Sequence, residues 1–317
     1  MAAEAQVEFL QVKKLSKWFD VRSRKKLFYR GQSRQFIKAV DGVSFFLREG
    51  EVLGIIGESG CGKTTLGNLL AALEKPTSGT ITLHGVETSY LLKNDPEKFR
   101  STVQIIFQNP FDTFAPGTTI QKILFRALKL HHIGRDREER YALCKKALED
   151  AELRPAEDFL SRFPFELSGG QLQRISIIRS MLLGPKLLIA DEPVSMLDIS
   201  VRAEIINMLQ KLSRHQGTAL VFISHDIVTT RYISDRIAVM YLGRIVETGP
   251  VDEVVRNPLH PYTQALISNC TSIDPCEKRN RIVLAGDPPS PVGEKKGCYF
   301  VSVNPTGVSK KPTKNEI

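Results

Sequence analysis

Two stretches near the start of the chain, VEFLQVKKL and FIKAVDGVSFFLREG, have strand-like patterning, which predicts strands within residues 7–20 and 37–49. A basic loop, Arg22-Ser23-Arg24-Lys25-Lys26 to Arg34, joins them. EVLGII, VQIIFQ, LLIAD and ALVFIS are short apolar runs that read as strands. TITLHG reads as an edge strand, and RIAVMYLGRIVETG as a β-hairpin. Helix-like patterning covers Thr64 to Leu73, which Pro76-Thr77-Ser78-Gly79 breaks. Residues 120–160 carry apolar positions at three- and four-residue spacing: Ile120, Ile123, Leu124 and Leu128, then Leu143, Ala147 and Leu148. Further helices are predicted from about Gly170 to Leu183 and over 201–214. After Pro258 the Pro, Lys and Gly content rises and apolar periodicity fades, so a boundary is placed near 256. Strands alternating with helices predict an α/β fold with a mostly parallel sheet covered on both faces. Ligands on such sheets bind at the carboxyl ends of the strands.

Composition narrows the class. At 317 residues the chain exceeds one ordinary domain. With 42% hydrophobic and 25% charged residues it has the balance of a soluble globular protein. No run approaches the roughly 18 apolar residues of a membrane span. The first residues, MAAEAQVEFLQVKK, lack a basic-then-apolar signal, so a cytosolic protein is expected. Five scattered cysteines, Cys61, Cys144, Cys270, Cys276 and Cys298, argue against a disulfide scaffold. The net charge of +9 is uneven: residues 1–40 hold ten Lys/Arg against three Asp/Glu, and residues 256–317 nine against five. That fringe suits nucleic acid, anionic lipid or an acidic partner surface, or simple solvation.

Three motifs carry chemistry. Gly57-Glu58-Ser59-Gly60-Cys61-Gly62-Lys63-Thr64 fits G-x-x-x-x-G-K-[ST] between a strand and a helix. Its glycines let backbone N–H groups face phosphate oxygens, and the helix N-terminus adds a favourable dipole. Lys63 would bridge the β- and γ-phosphates, and the Thr64 hydroxyl would ligate Mg²⁺. Cys61, beside Lys63 and a helix N-terminus, is expected to be a reactive thiol shielded by nucleotide. Leu187-Leu188-Ile189-Ala190-Asp191-Glu192 is an apolar strand ending in two carboxylates. Side chains alternate along a strand, so the two should differ in role. Asp191 suits metal coordination through water, and Glu192 suits orienting or deprotonating an attacking water. Leu167-Ser168-Gly169-Gly170-Gln171 precedes a helix that Ser168 can N-cap. It is either a second anion site or a capped helix start with a flexible lead-in.

The order of these motifs, with Gln108 after VQIIF, Ser195-Met196-Leu197-Asp198, and His225 in FISHD, resembles the ATP-binding subunit of ABC transporters up to about residue 290. GESGCGKTTLG, ELSGGQLQR, DEPVSMLD, VMYLGRIVETG and NPLHPYTQAL are most similar to the F-type subunit of oligopeptide/dipeptide permeases. Nickel and some oligosaccharide importers use close relatives. The resemblance implies a P-loop NTPase fold with a mostly parallel core sheet, an N-terminal antiparallel β subdomain, a helical signature subdomain at about 112–182, and a peptide-importer-type extension at 256–317 after an ATP-binding domain at 1–255. It implies ATP and Mg²⁺ as cofactors, with Thr64, Gln108 and Asp191 at the metal and Glu192, His225 and Gln108 in hydrolysis. Nucleotide contacts fall on the phosphate loop from Gly57 to Thr65, including Ser59, Gly60, Gly62 and Thr65. Ser168, Gly169, Gly170 and Gln171 would close on the nucleotide of a facing subunit, with Asp198 between the two sites. Trp18 stands where the family stacks an aromatic on adenine, with Phe19 as the substitute. The implied partners are a homologous ATP-binding subunit in a heterodimer, two membrane permease subunits and, indirectly, an external binding protein, with no nucleic acid. The implied location is the cytoplasmic face of the membrane. Soluble ABC ATPases of DNA repair or translation need coiled-coil insertions or a second cassette, which this chain lacks. A non-hydrolysing regulator conflicts with the presence of Glu192 and His225.

The pattern departs from the family at Leu172, where Arg is usual, at Ile178 and Met196, where Ala is usual, and at Ala115, where Asn is common. These departures bear on the dimer interface and coupling. The tail lacks the Pro-Arg-Cys-Pro segment that follows Gly-Cys in relatives. With Cys270, Cys276 and Cys298 alone beyond residue 256, no iron–sulfur cluster is expected. Residues Val301 to Ile317 are expected to be mobile.

Overall fold

The protein is seen in a computed structural model that describes residues 8–21, 35–269, 282 and 300. β1 (Glu8–Asp20) and β2 (Phe36–Arg48) pair antiparallel, and their inward residues Leu10, Val12, Leu15, Val40, Val43 and Leu47 are buried. β3 (Val52–Ile56) runs into α1 (Lys63–Leu70). β4 (Ser78–Leu83), the two-residue β5 (Val86–Glu87), α2 (Thr88–Asn94) and α3 (Pro96–Thr102) lead to β6 (Val103–Ile106). Next come α4 (Ile120–Leu130), α5 (Arg137–Asp150), α6 (Ala156–Ser161) and α7 (Gly169–Met181). β7 (Leu187–Asp191), α8 (Ile199–Gln216), β8 (Ala219–Ser224), α9 (Ile227–Ile233), β9 (Arg236–Tyr241) and β10 (Arg244–Pro250) follow. α10 (Val251–Arg256) and α11 (Pro261–Ser268) close the described chain.

The strands form two sheets. One has the order β2-β1-β4-β5 and is antiparallel; the other has the order β10-β9-β3-β8-β7-β6. In the second, β9, β3, β8, β7 and β6 run parallel, and β10 alone is antiparallel. Every residue of β3, β7 and β8 is buried, as expected of strands covered on both faces.

Several expectations shift. The first helix starts at Lys63 and ends at Leu70, three residues short of Leu73. TITLHG is not at the sheet edge, because β5 pairs with its outer side. The helical stretch from 120 to 160 is three helices interrupted by turns. Ile120, Leu124 and Leu128 of α4 recur every fourth residue and form one buried stripe. They meet Cys144 and Leu148 of α5 and Leu172, Ile175 and Ile178 of α7 in a core of their own. Leu172 and Ile178 are therefore core packing of this helical layer and not interface residues. Burial pushes the Cys144 thiol up to about 12, so it behaves as a small apolar side chain.

The largest correction lies past residue 256. Periodicity does not fade there: α11 buries Tyr262, Thr263, Ala265 and Ile267. Tyr262 and Ile267 share a core with Ile56 of β3, Ile237 and Tyr241 of β9, and Phe300. The basic loop 22–34, the stretch Val301 to Ile317 and the cysteines Cys270, Cys276 and Cys298 lie outside the described residues.

Candidate nucleotide site

The site is assembled at the carboxyl ends of neighbouring parallel strands. The phosphate loop follows β3, His225 follows β8, Asp191 ends β7 with Glu192 next, and Gln108 follows β6. A cleft of about 630 Å³ opens there, lined by Gly57 to Thr65, Gln108, Glu192 and His225. Its remaining walls are Ile37, Lys38 and Ala39 of β2, Leu242 and Gly243 of the β9–β10 turn, and Leu266 of α11. Sequence reasoning missed these six residues. They carry no motif and reach the cleft only through the packing of β2, β9 and α11.

Gly62 caps α1 with φ 106°, and a Cβ there would lie 2.0 Å from the Ala39 carbonyl oxygen. Only glycine allows β2 to lie this close to the loop. No side chain caps α1, so its first N–H groups remain free for an anion. Lys63 is buried, and its Nζ donates to the carbonyls of Gly57 at 2.8 Å and Glu58 at 2.9 Å. The Cys61 sulfur lies 4.0 Å from the same ammonium. Cys61 is itself buried, and burial pushes its thiol up, outweighing the opposing pull of Lys63. The expectation of an activated thiolate is thereby corrected.

Asp191 and Glu192 do point to different partners. The Thr64 hydroxyl donates to Asp191 Oδ1 at 3.3 Å. Burial, partly offset by that bond, raises the Asp191 carboxyl above its ordinary value. Glu192 Oε2 lies 2.7 Å from His225 Nδ1. Register explains the meeting: Asp191 pairs with Ile223, and the Glu192 N–H donates to the Ile223 carbonyl at 2.9 Å. The residues just beyond the two strand ends are therefore neighbours. Glu192 adopts φ 50°, a left-handed conformation that costs a non-glycine residue on the order of 1 kcal/mol or more. Its carbonyl accepts from the Ser195 N–H at 3.2 Å and the Ser195 hydroxyl at 3.0 Å, which hold that turn in place.

Other expected residues do not line this cleft. Trp18 pairs with Lys38 across β1 and β2, and the Lys38 ammonium covers its ring at 4.6 Å from the centroid. An adenine reaching that face would have to displace Lys38. Phe19 is exposed, with the Lys17 ammonium 5.1 Å from its ring centre. Ser168 caps α7, which Gly169, Gly170 and Gln171 begin; none of the four lines the cleft, and a Cβ at Gly169 or Gly170 would meet Leu197 or Val201 respectively. Asp198, exposed, precedes α8.

The family model for ABC transporters matches residues 40–195, and that for the oligopeptide/dipeptide transporter C-terminal region matches 246–305. The oligopeptide transport ATP-binding protein OppF of Escherichia coli (strain K12) is 42% identical over 94% of this chain and 88% of its own. The chain belongs to the ABC transporter ATP-binding family. The Bacillus subtilis (strain 168) protein AppF, also described as an oligopeptide transport ATP-binding protein, is 44% identical over 95% of this chain and 90% of its own. Among solved structures, a bacterial ABC transporter cassette in dimeric form superposes with a TM-score of 0.65 at 28% identity, covering 76% of this chain and 98% of that one. A second dimeric cassette, in a post-hydrolysis state with ADP and Pi, gives 0.64 at 28% identity, again over 76% of this chain and 98% of its own. The chain is an ABC ATPase and binds ATP.

Proposed function

We propose that this chain is the ATP-hydrolysing subunit of an importer of oligopeptides or dipeptides, acting on partner permeases at the cytoplasmic face of the membrane. The observation that carries the hydrolytic part is the Glu192–His225 contact at the mouth of the phosphate loop. A carboxylate held by a histidine beside a phosphate cradle is arranged to position and deprotonate water.

Each residue then has a role. The loop amides and Lys63 bind the β- and γ-phosphates. Glu192 orients water on the γ-phosphorus and accepts its proton as the bond to ADP breaks, and His225 steadies the carboxylate and contacts the γ-phosphate. The Thr64 hydroxyl and the Asp191 carboxylate, already in contact, offer the hard oxygen donors that Mg²⁺ prefers, with Gln108 across the cleft. Bound there, Mg²⁺ supplies positive charge to the phosphate oxygens. Asp191 is the carboxylate of this set, as expected where phosphates supply further ligands.

Ser168 and Gly170 lie outside their own cleft, so the nucleotide they close on belongs to a facing ATP-binding subunit, which we take to be a homologue of this chain, with Asp198 between the two sites. A second cleft, of about 440 Å³, is lined by Phe99, Arg100, Phe107, Ile123, Arg126 and Leu130, and its wall includes the strand that leads to Gln108. A permease segment seated there would feel any movement of Gln108. No described helix is long and apolar enough to cross a membrane, which fits a peripheral subunit held by permeases. We divide the chain into an ATP-binding domain, 1–255, and an importer-type extension, 256–317.

The test is reconstitution with permeases and a partner ATPase in vesicles. Peptide uptake that needs ATP and is lost with Glu192→Gln is the expected result. Uptake of nickel or an oligosaccharide in place of peptide would transfer the substrate assignment, and hydrolysis with no transport would favour a soluble ATPase.

A further inference from the structure

The nucleotide cleft borrows a residue from far along the chain. The Glu58 N–H donates to the Tyr262 hydroxyl at 3.0 Å, a contact between residues 204 apart. Tyr262 is fully buried in α11, the helix that follows the ATP-binding domain. Burial drives its hydroxyl well above the ordinary tyrosine range, so it stays protonated at any physiological pH. Its ring packs on Tyr241, with centroids 4.5 Å apart. One turn on, Leu266 of the same helix lines the cleft.

The partner atom decides what this contact can do. The Glu58 N–H and the Gly57 carbonyl belong to one peptide group, whose N–H and C=O point in opposite directions in the trans form. That carbonyl accepts from Lys63 Nζ at 2.8 Å. A single rigid peptide therefore joins the Tyr262 hydroxyl to the Lys63 ammonium. With the N–H held by Tyr262, the plane cannot rotate without breaking the bond that aims the lysine. An ammonium has three N–H donors, and the Gly57 and Glu58 carbonyls take two of them. The third, with the weakly accepting Cys61 sulfur 4.0 Å from the nitrogen, is left for a phosphate oxygen.

We propose that Tyr262 is a positioning residue for ATP binding: the C-terminal extension fixes the Gly57–Glu58 peptide, and through it Lys63, in the geometry that receives the phosphates. α11 is held firmly enough to act this way. His260 Nδ1 accepts from the Tyr262 N–H at 3.1 Å, and the Glu247 carboxylate accepts from the N–H groups of Leu259 at 2.8 Å and His260 at 3.0 Å. Any binding event that shifts α11 would change the affinity of the cleft for ATP. This inference rests on the ATPase reading above, since it concerns how the same cleft is prepared.

The test compares ATP binding to the purified full-length chain and its variants by calorimetric titration. Tyr262→Phe keeps the ring and removes the hydroxyl, so its dissociation constant should rise roughly 5- to 10-fold, the scale of one net hydrogen bond. In the assembled transporter the variant should raise KM for ATP by a similar factor and leave kcat within about 2-fold. Thr263→Val is the control. Its hydroxyl is buried on the same helix and makes no hydrogen bond among the described residues. It should leave ATP affinity unchanged whatever it does to the melting temperature. An unchanged dissociation constant for Tyr262→Phe would overturn the proposal. So would equal losses of affinity in both variants tracking their melting temperatures, which would reduce Tyr262 to a packing role. Wild-type chain that binds no ATP would instead refute the ATPase reading itself.

Discussion

The phosphate loop and the Leu167–Gln171 loop both place glycines ahead of a helix, yet their free N–H groups meet different fates. At α1 the cap is Gly62, which has no side chain to offer, so the first-turn amides are left to an external acceptor. At α7 the Ser168 hydroxyl accepts from the Gln171 N–H at 3.3 Å, and the Gln171 side-chain oxygen accepts from the Ser168 N–H at 3.0 Å. This reciprocal capping box satisfies two donors of the helix start, the N–H groups of Ser168 and Gln171, from within. The N–H groups of Gly169 and Gly170 lie outside that box, so the second loop keeps fewer donors for an external acceptor than the first. None of its residues lines the cleft of its own chain. The dipole argument alone treats both helix starts alike; the identity of the cap residue separates them.

The largest expected effect concerns the first site. Glu192→Gln keeps the shape of the side chain and removes its basicity. Turnover in the assembled transporter should fall about 100-fold or more, the scale for a lost acid–base group. ATP binding to the chain alone should persist, because the Lys63 contacts and loop amides are untouched. Near wild-type hydrolysis would separate the Glu192–His225 pair from the chemistry and leave the first loop as a binding site only.

A smaller effect tests the second site. Ser168→Ala removes the cap of α7 and should cost about 1 kcal/mol of stability, measured by denaturant unfolding. If the two loops differ as described, the same variant should leave ATP affinity of the isolated chain within about 2-fold of wild type, while hydrolysis by the assembled complex declines. A marked loss of ATP affinity in the isolated chain would show that α7 already serves its own cleft, and the contrast between the loops would fail.

Much of this was legible in the sequence because local pattern and chemistry coincide. The apolar runs EVLGII, LLIAD and ALVFIS appear as buried strands, and the motifs at their ends converge because parallel strands end on one side. That Asp191 and Glu192 differ in role was expected from strand alternation, and they do meet different partners. Glu192, however, lies one residue past the strand in a left-handed turn, which alternation does not describe. Contributions that depend on long-range packing were not legible. Lys38 over Trp18 arises from β1–β2 register, and the Tyr262 contact crosses most of the chain. The stretch around Tyr262 is rich in proline, Asn257-Pro258-Leu259-His260-Pro261, which hides the short helix that follows. Pro261 in fact occupies the first turn of α11, where its missing N–H costs nothing.

The smallest expected effect, that of ATP on the labelling of Cys61, separates position from reactivity within the phosphate loop. A helix N-terminus and a neighbouring ammonium both favour a thiolate, and from sequence these two influences predict a reactive Cys61. In the fold, the loss of water around the sulfur outweighs them and raises the thiol. The Lys63 ammonium, 4.0 Å from the sulfur, still lowers the thiol, but by less than burial raises it. Cys61 in the nucleotide-free protein should therefore react with iodoacetamide at pH 7.5 more slowly than a free cysteine, on the order of 10-fold or more for each pH unit by which its titration is raised. Saturating ATP should add only a modest further slowing, because the sulfur is already covered. Peptide-resolved mass spectrometry keeps this site apart from Cys270, Cys276 and Cys298. Rapid labelling that ATP abolishes would mean that the loop opens often enough to expose Cys61, and that the Lys63 contacts describe a minor state of the phosphate loop.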